Sequence, residues 1–143
     1  HLNHKRGSRV YFLIVIHKNC FILARLISEE LKLISNSIIE LCELKINKKD
    51  PHNNPHCEID IFKIKNKSVV LIDDVLNSGK TLIYAVKYIL NVPLSKFKTS
   101  VLIDRNHKKF PIKIDFKGIS LSTSIEENVN VVFKKDSSYA FID

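Results

Sequence analysis

Two adjacent carboxylates, Asp73 and Asp74, stand a few residues ahead of the small, hydroxyl-rich run Ser78-Gly79-Lys80-Thr81. Carboxylates accept hydrogen bonds and donate none, so the pair suits hydroxyl groups and repels a bare phosphate. The run that follows has the opposite character. Its backbone amides, the hydroxyls of Ser78 and Thr81 and the start of a helix attract an anion. Gly79 lets the backbone approach closely or take a positive φ. A ligand that satisfies both halves carries hydroxyls at one end and a phosphate at the other, which describes a sugar phosphate.

The flanking residues supply the elements that hold such a site. Val69–Ile72 is a continuous apolar run rich in β-branched residues, the pattern of a strand buried on both faces of a parallel sheet. Apolar residues at Leu82, Ala85, Val86, Ile89 and Leu90 predict a helix that starts near Lys80 or Thr81. The unit is strand, loop, helix. A nucleotide-triphosphatase P-loop would need a glycine where Asp74 stands. A receiver domain would carry its acidic pair nearer the N-terminus. A plain solvated turn is the remaining alternative, but it would not require the downstream match described next.

Asp73-Asp74-Val75-Leu76-Asn77-Ser78-Gly79-Lys80-Thr81 resembles the phosphoribosyl-pyrophosphate (PRPP) motif of type I phosphoribosyltransferases. Val101-Leu102-Ile103-Asp104-Arg105-Asn106-His107-Lys108-Lys109-Phe110-Pro111-Ile112, then Asp115–Gly118 and Ser122–Ser124, is similar to the pyrimidine-operon attenuator/uracil phosphoribosyltransferase branch of that family. The resemblance implies one α/β domain over residues 1–143, with a mainly parallel sheet flanked by helices, a flexible loop and a small hood. It implies Asp73 and Asp74 on the ribose hydroxyls and Val75–Thr81 around the rest of the ribose phosphate. It also implies Mg²⁺ carried by PRPP rather than held by the protein, uracil as acceptor, and a homodimer or higher homo-oligomer. Purine-specific members place an aspartate at the position of Asn77. An amide cannot take a proton at neutral pH, which favours a pyrimidine.

By order along the chain, His17-Lys18-Asn19-Cys20 falls at the family's pyrophosphate loop, so His17, Lys18 and Asn19 are its candidates. Asn19 and Cys20 stand where arginine and glycine are expected, and Lys18 is the remaining fixed cation. Cys20 itself reads as a small buried hydrophobe at a helix start. Asn47–His56, with Pro51, Pro55 and three asparagines, breaks all periodicity and matches the closing loop, with Lys45, Lys48 and Lys49 positioned to reach pyrophosphate. His52, His56 and Cys57 have a workable zinc spacing but lack a fourth ligand.

Asp104, Arg105, His107, Lys108 and Lys109 form the expected base or RNA region. The rival reading is a nucleotide-sensing, RNA-binding regulator of pyrimidine genes with little catalysis. In it Arg105, His107, Lys108, Lys109 and Lys113 would contact RNA phosphates.

Remaining elements follow from periodicity. Val10–Ile16 predicts the first strand, then a helix capped by Asn19 with its apolar stripe at Phe21, Ile22, Leu23, Leu26, Ile27 and Leu31. Ile38–Ile46, Glu58–Lys63, Thr99–Asp104, Lys113–Lys117, Asn130–Lys134 and Tyr139–Ile142 read as strands, the last returning to the sheet edge.

The whole chain has 143 residues, 45% of them apolar, with 23 Lys and Arg against 15 Asp and Glu for a net charge of +8. That length suits one domain, and the surplus favours anionic ligands and is compatible with nucleic acid. No run approaches a membrane span. Three cysteines without paired spacing suit reduced thiols and a cytoplasmic setting. The basic start His1–Arg9 leaves no room for the helix that the resemblance implies before the first strand. With no methionine in the chain, the sequence is expected to omit an N-terminal portion.

Overall fold

The computed structural model describes residues 9–47, 49–51, 53, 55–134 and 137–143. Among the described residues, eight strands and two α-helices follow one another as β1 (Val10–Val15), α1 (Phe21–Ile34), β2 (Ile38–Lys45), β3 (His56–Cys57), β4 (Ser68–Leu76), α2 (Lys80–Ile89), β5 (Lys96–Asp104), β6 (Phe116–Ser120), β7 (Val129–Val132) and β8 (Tyr139–Ile142). Six strands make one sheet in the order β3-β2-β1-β4-β5-β6. All neighbours run parallel except β2 and β3, which are antiparallel. Parallel neighbours need crossovers, and α1 and α2 supply them between β1 and β2 and between β4 and β5.

The continuous apolar runs explain the layers. Successive side chains of a strand point to opposite faces, so a run without polar interruption must be covered on both. Phe12, Ile14, Val69 and Leu71 pack with Leu82, Ala85 and Ile89 of α2. Leu13, Val15 and Ile72 pack with Cys20 and Ala24 on the α1 side. In β2, Cys42 and Leu44 join the first cluster while Ile39 and Leu41 face the second, as the alternation predicts. Beyond α1 an apolar groove of about 670 Å³ stays open, lined by residues that include Tyr11, Ile27, Leu31, Leu102 and Phe116.

Several boundaries differ from the periodicity, each for a local reason. Glu58–Lys63 is not a strand: after β3 the chain bends, Asp60 Oδ1 accepts from the Phe62 amide at 3.0 Å, and Ile61–Ile64 form one 3₁₀ turn that buries Ile64. Asn19 does not cap α1. His17 Nδ1 instead accepts from the Asn19 amide at 3.1 Å, starting a short 3₁₀ turn at Lys18–Cys20 that runs into the helix.

β6 begins at Phe116 rather than Lys113 because Asp115 is already engaged with Thr99. The expected strand at Asn130–Lys134 is Val129–Val132, and Tyr139–Ile142 pairs with it in a separate two-stranded ladder rather than at the main sheet's edge. β4 and β5 are longer than their apolar cores suggest, extending to Leu76 and back to Lys96.

Candidate active site

Parallel strands β1, β2, β4 and β5 all end on one rim of the sheet, where open α/β folds collect their ligand contacts. β4 is central, and it brings the acidic pair there. Asp73 is buried and Asp74 half-buried. The Asp74 amide donates to Asp73 Oδ1 and the Val75 amide to Asp74 Oδ1, both at 2.8 Å. Each carboxylate is thus oriented by the backbone just after it.

The chain then turns through Asn77–Gly79 into α2. Gly79 has φ 86°, the left-handed region, and its carbonyl accepts from the Ile83 amide at 3.0 Å to open the helix. A Cβ there would lie 2.9 Å from Ile112 Cγ2, so this position needs glycine both for its conformation and for its space. Ser78 Oγ accepts from the Lys80 amide at 3.3 Å, and the Ser78 carbonyl accepts from the Lys109 and Phe110 amides at 2.8 and 3.1 Å. The loop is therefore braced by residues 109–110, and the first turn of α2 follows it directly. First-turn amides have no acceptor within their own helix, which makes the turn an anion seat.

The other expected residues fall around this centre. His17, Lys18 and Asn19 are exposed at the end of β1, the strand beside β4. Lys45 and Lys49 are exposed at the end of β2, one strand farther out, and Lys48 lies outside the described residues. His52 of the zinc-like spacing also lies outside them. His56 and Cys57 form β3, and the Cys57 thiol shares a hydrogen bond with Cys42. That bond lowers Cys57 to about 7 and, together with burial, pushes Cys42 up.

The structure also makes contacts that spacing did not reveal. Ligand atoms of Cys20, Asp73 and Asp74 lie within 4.8 Å of one another, because the turn after β1 closes over the acidic pair. The carboxylate oxygens suit a hard cation or its water ligands; the sulfur does not.

Arg105 is buried at the end of β5, and its guanidinium is engaged on every nitrogen. Nη1 donates to Asn77 Oδ1 at 2.7 Å, Nε to Thr123 Oγ1 at 3.0 Å, and Nη2 to the carbonyls of Ser124, at 2.9 Å, and Glu127. This side chain fastens the hood, residues 121–128, to the loop after β4.

Asp104 is also committed within the fold. Its Oδ1 accepts from the Asn106 amide at 2.8 Å and its Oδ2 pairs with Lys117 at 3.3 Å. His107 Nε2 donates to the Thr123 carbonyl, Lys108 Nζ donates to the Ile112 carbonyl at 2.9 Å, and Lys109 is exposed. Inside the hood, Ser124 and Glu127 bond reciprocally: the Ser124 amide donates to Glu127 Oε1 at 2.8 Å and the Glu127 amide to Ser124 Oγ at 3.2 Å. The Ser124 contacts hold Glu127 below the ordinary carboxylate range. Serine followed three residues later by glutamate is a capping-box spacing, so this part of the hood left a signal in the sequence.

The family model described as the phosphoribosyl transferase domain matches residues 2–136. The chain belongs to the phosphoribosyl transferase family. Among curated relatives of this phosphoribosyl transferase, the "Bifunctional protein PyrR" of Pediococcus pentosaceus is 29% identical over 94% of this chain and 81% of its own length. The protein of the same name from Ligilactobacillus salivarius is 34% identical over 76% and 67%.

The fold is shared with the hypoxanthine phosphoribosyltransferase of Trypanosoma cruzi, at a TM-score of 0.68 and 18% identity over 82% of this chain and 67% of that one. A Bacillus anthracis hypoxanthine-guanine phosphoribosyltransferase aligns at a TM-score of 0.64 and 15% identity, covering 84% of this chain and 70% of its own. Among the described residues no helix is long and apolar enough to cross a membrane.

Proposed function

We propose that this phosphoribosyl transferase, one domain over residues 1–143, moves the phosphoribosyl group of PRPP to uracil and releases pyrophosphate. The observation that carries the reading is the sequence of parts at the end of β4: two backbone-oriented carboxylates, then a left-handed glycine, then the open first turn of α2. Asp73 and Asp74 accept from the ribose 2′- and 3′-hydroxyls and favour the positive charge that develops on the ring as the bond at C1′ breaks. The amides of 78–81 and the hydroxyls of Ser78 and Thr81 seat the 5′-phosphate.

His17, Lys18 and Asn19 serve the pyrophosphate side in this reading, and Lys45, Lys48 and Lys49 are the cations it assigns to pyrophosphate, helping to exclude water from the reactive sugar. Mg²⁺, carried in with PRPP, supplies positive charge to the leaving pyrophosphate, and the oxygens of Asp73 and Asp74 fit the hydration shell of such a cation. Asp104, Arg105, His107, Lys108 and Lys109 support the base side.

A double variant, Asp73→Asn with Asp74→Asn, tests this reading. Uridine monophosphate formation from uracil and PRPP should fall at least about 10³-fold, since each lost electrostatic contact is worth on the order of 10². Circular dichroism should stay as in the parent. Parental turnover by the double variant would refute the assignment of the pair.

RNA binding is a second role, supported by the exposed lysines Lys109 and Lys113; the relatives' name, "bifunctional", states two functions of those proteins without saying which. A homodimer or higher homo-oligomer in the cytoplasm completes the reading. Support comes from the open groove beside α1, the exposed Leu33 and Ile34, and three free cysteines.

A further inference from the structure

Two of the three cysteines meet at the edge of the sheet and take no part in the chemistry proposed above. β3 runs antiparallel to β2 with Cys57 opposite Leu44. Residues two apart on a strand share a face, so Cys42 lies on the same side as Leu44, diagonal to Cys57. Both cysteines pack into the core cluster on the α2 side, where their thiols share a hydrogen bond. Cys20 belongs to the cluster on the opposite face and cannot join them.

Contact is not yet a bond. Diagonal neighbours on a ladder lie roughly 7–8 Å apart, whereas a disulfide spans Cα atoms no more than about 7 Å apart. One partner has to move, and the sheet decides which. β2 is held along Ile38–Glu43 by the whole of β1. β3 is two residues long, lies outermost and, among the described residues, pairs with β2 alone. Closing the bond therefore draws β3 along β2 toward Cys42 and takes His56 with it. His56 is where the loop after β2 ends, so that loop, which carries Lys49, loses reach beyond the rim.

We infer that Cys42 and Cys57 form a reversible disulfide that restrains the loop after β2 and slows turnover under oxidising conditions. The bond follows from the strand geometry, while its effect on turnover rests on the transferase reading above. Hydrogen peroxide, small enough to reach a thiol on an edge strand, is the oxidant. The Cys57 sulfur attacks one peroxide oxygen, the O–O bond breaks, and a sulfenic acid and water form. The Cys42 sulfur then displaces that hydroxyl, which leaves as a second water with the Cys42 thiol proton. Two electrons pass from the sulfurs to one peroxide. A dithiol reverses the bond by thiol–disulfide exchange and is itself oxidised to a disulfide. Cys57 is the attacking group, because the hydrogen bond from Cys42 lowers it to about 7 and so favours its thiolate.

The test treats the reduced parent with hydrogen peroxide, blocks remaining thiols by alkylation and maps its peptides by mass spectrometry. Two peptides joined through Cys42 and Cys57 should appear, two hydrogens lighter than their reduced sum and separated by dithiothreitol. Trypsin cleavage after the exposed Lys49 should slow in the oxidised protein. Uridine monophosphate formation should fall at least about fivefold, since loop motions set many turnover rates, and both readouts should recover on reduction. Cys42→Ser should keep the reduced rate and lose the response to peroxide. The bridge is read in the parent itself, so a Cys42→Ser variant that does not fold leaves the test intact. No bridge, a bridge through Cys20, or a bridge that changes neither cleavage nor turnover would overturn the inference. A bridge that slows cleavage in a chain whose reduced form has no turnover would instead overturn the transferase reading.

Discussion

Gly79 concentrates the demands made on single residues in this protein. Its backbone lies in a region that costs an L side chain about 1–2 kcal/mol, and an added Cβ would meet Ile112 Cγ2 at 2.9 Å. Gly79→Ala should therefore lower stability by at least that strain and push residues 108–112 away from the phosphate seat. The expected result is a lower urea midpoint together with PRPP binding weakened tenfold or more. An alanine variant with parental midpoint and affinity would mean that the turn relaxes without effect on the site. At this scale the acidic pair, the glycine and the hydroxyls were legible because they are neighbours in sequence and their chemistry is local. The Arg105–Asn77 bond was not, since nothing in the surroundings of either residue names its partner. Cys20 was read correctly as buried, but its approach to Asp73 and Asp74 depends on β1 lying beside β4.

Among elements, the long apolar runs were legible, as were the alternation of Ile38–Ile46 and the strand at Tyr139–Ile142, whereas Glu58–Lys63 misled. β1 and β4 announce themselves because burial on both faces leaves no other reading. Glu58–Lys63 alternates equally well, yet Asp60 caps a 3₁₀ turn there, a local hydrogen bond outcompeting a ladder that could extend only along an edge. The start of β6 is set by Asp115, which the Thr99 amide, with help from Lys98 and Lys113, holds below the usual carboxylate range.

The β2–β3 pair supplies a pH prediction through Cys42 and Cys57. Between about pH 7 and 9.0 the folded pair has released one proton that the unfolded chain still holds, so stability rises with pH. Above 9.0 the unfolded chain releases both protons while the folded pair keeps one, because Cys42 is pushed up, and stability falls again. The difference in urea midpoint between the parent and a Cys42→Ala/Cys57→Ala variant, under reducing conditions, should peak near pH 9. A flat difference from about pH 6 to about pH 10 would rule out a shared proton.

For the molecule as a whole, the net charge of +8 matters more than any single lysine. A field of that sign draws in PRPP, pyrophosphate and RNA alike, so charge alone does not choose among them. The fold narrows the choice, because Arg105 is used up inside the hood and His107 and Lys108 are bonded locally. Exposed Lys109 and Lys113 are left, the latter exchanging its surface pair with Asp115 at 3.5 Å for a phosphate, and each should contribute about one unit to the slope of log affinity against log salt for RNA. Changing either to alanine should reduce that slope by about one without altering PRPP binding. Salt-insensitive RNA binding would remove the electrostatic role.

The central place of β4 in the sheet has a last consequence. Hydrogen-bonded to a parallel neighbour on either side, it cannot shift without breaking two ladders at once. In the proposed function its carboxylates are the fixed jaw of a vice. Entry and exit of cargo are left to the connections around the rim, so changes of turnover rate should be sought in the linkers, while the sheet decides only what is gripped.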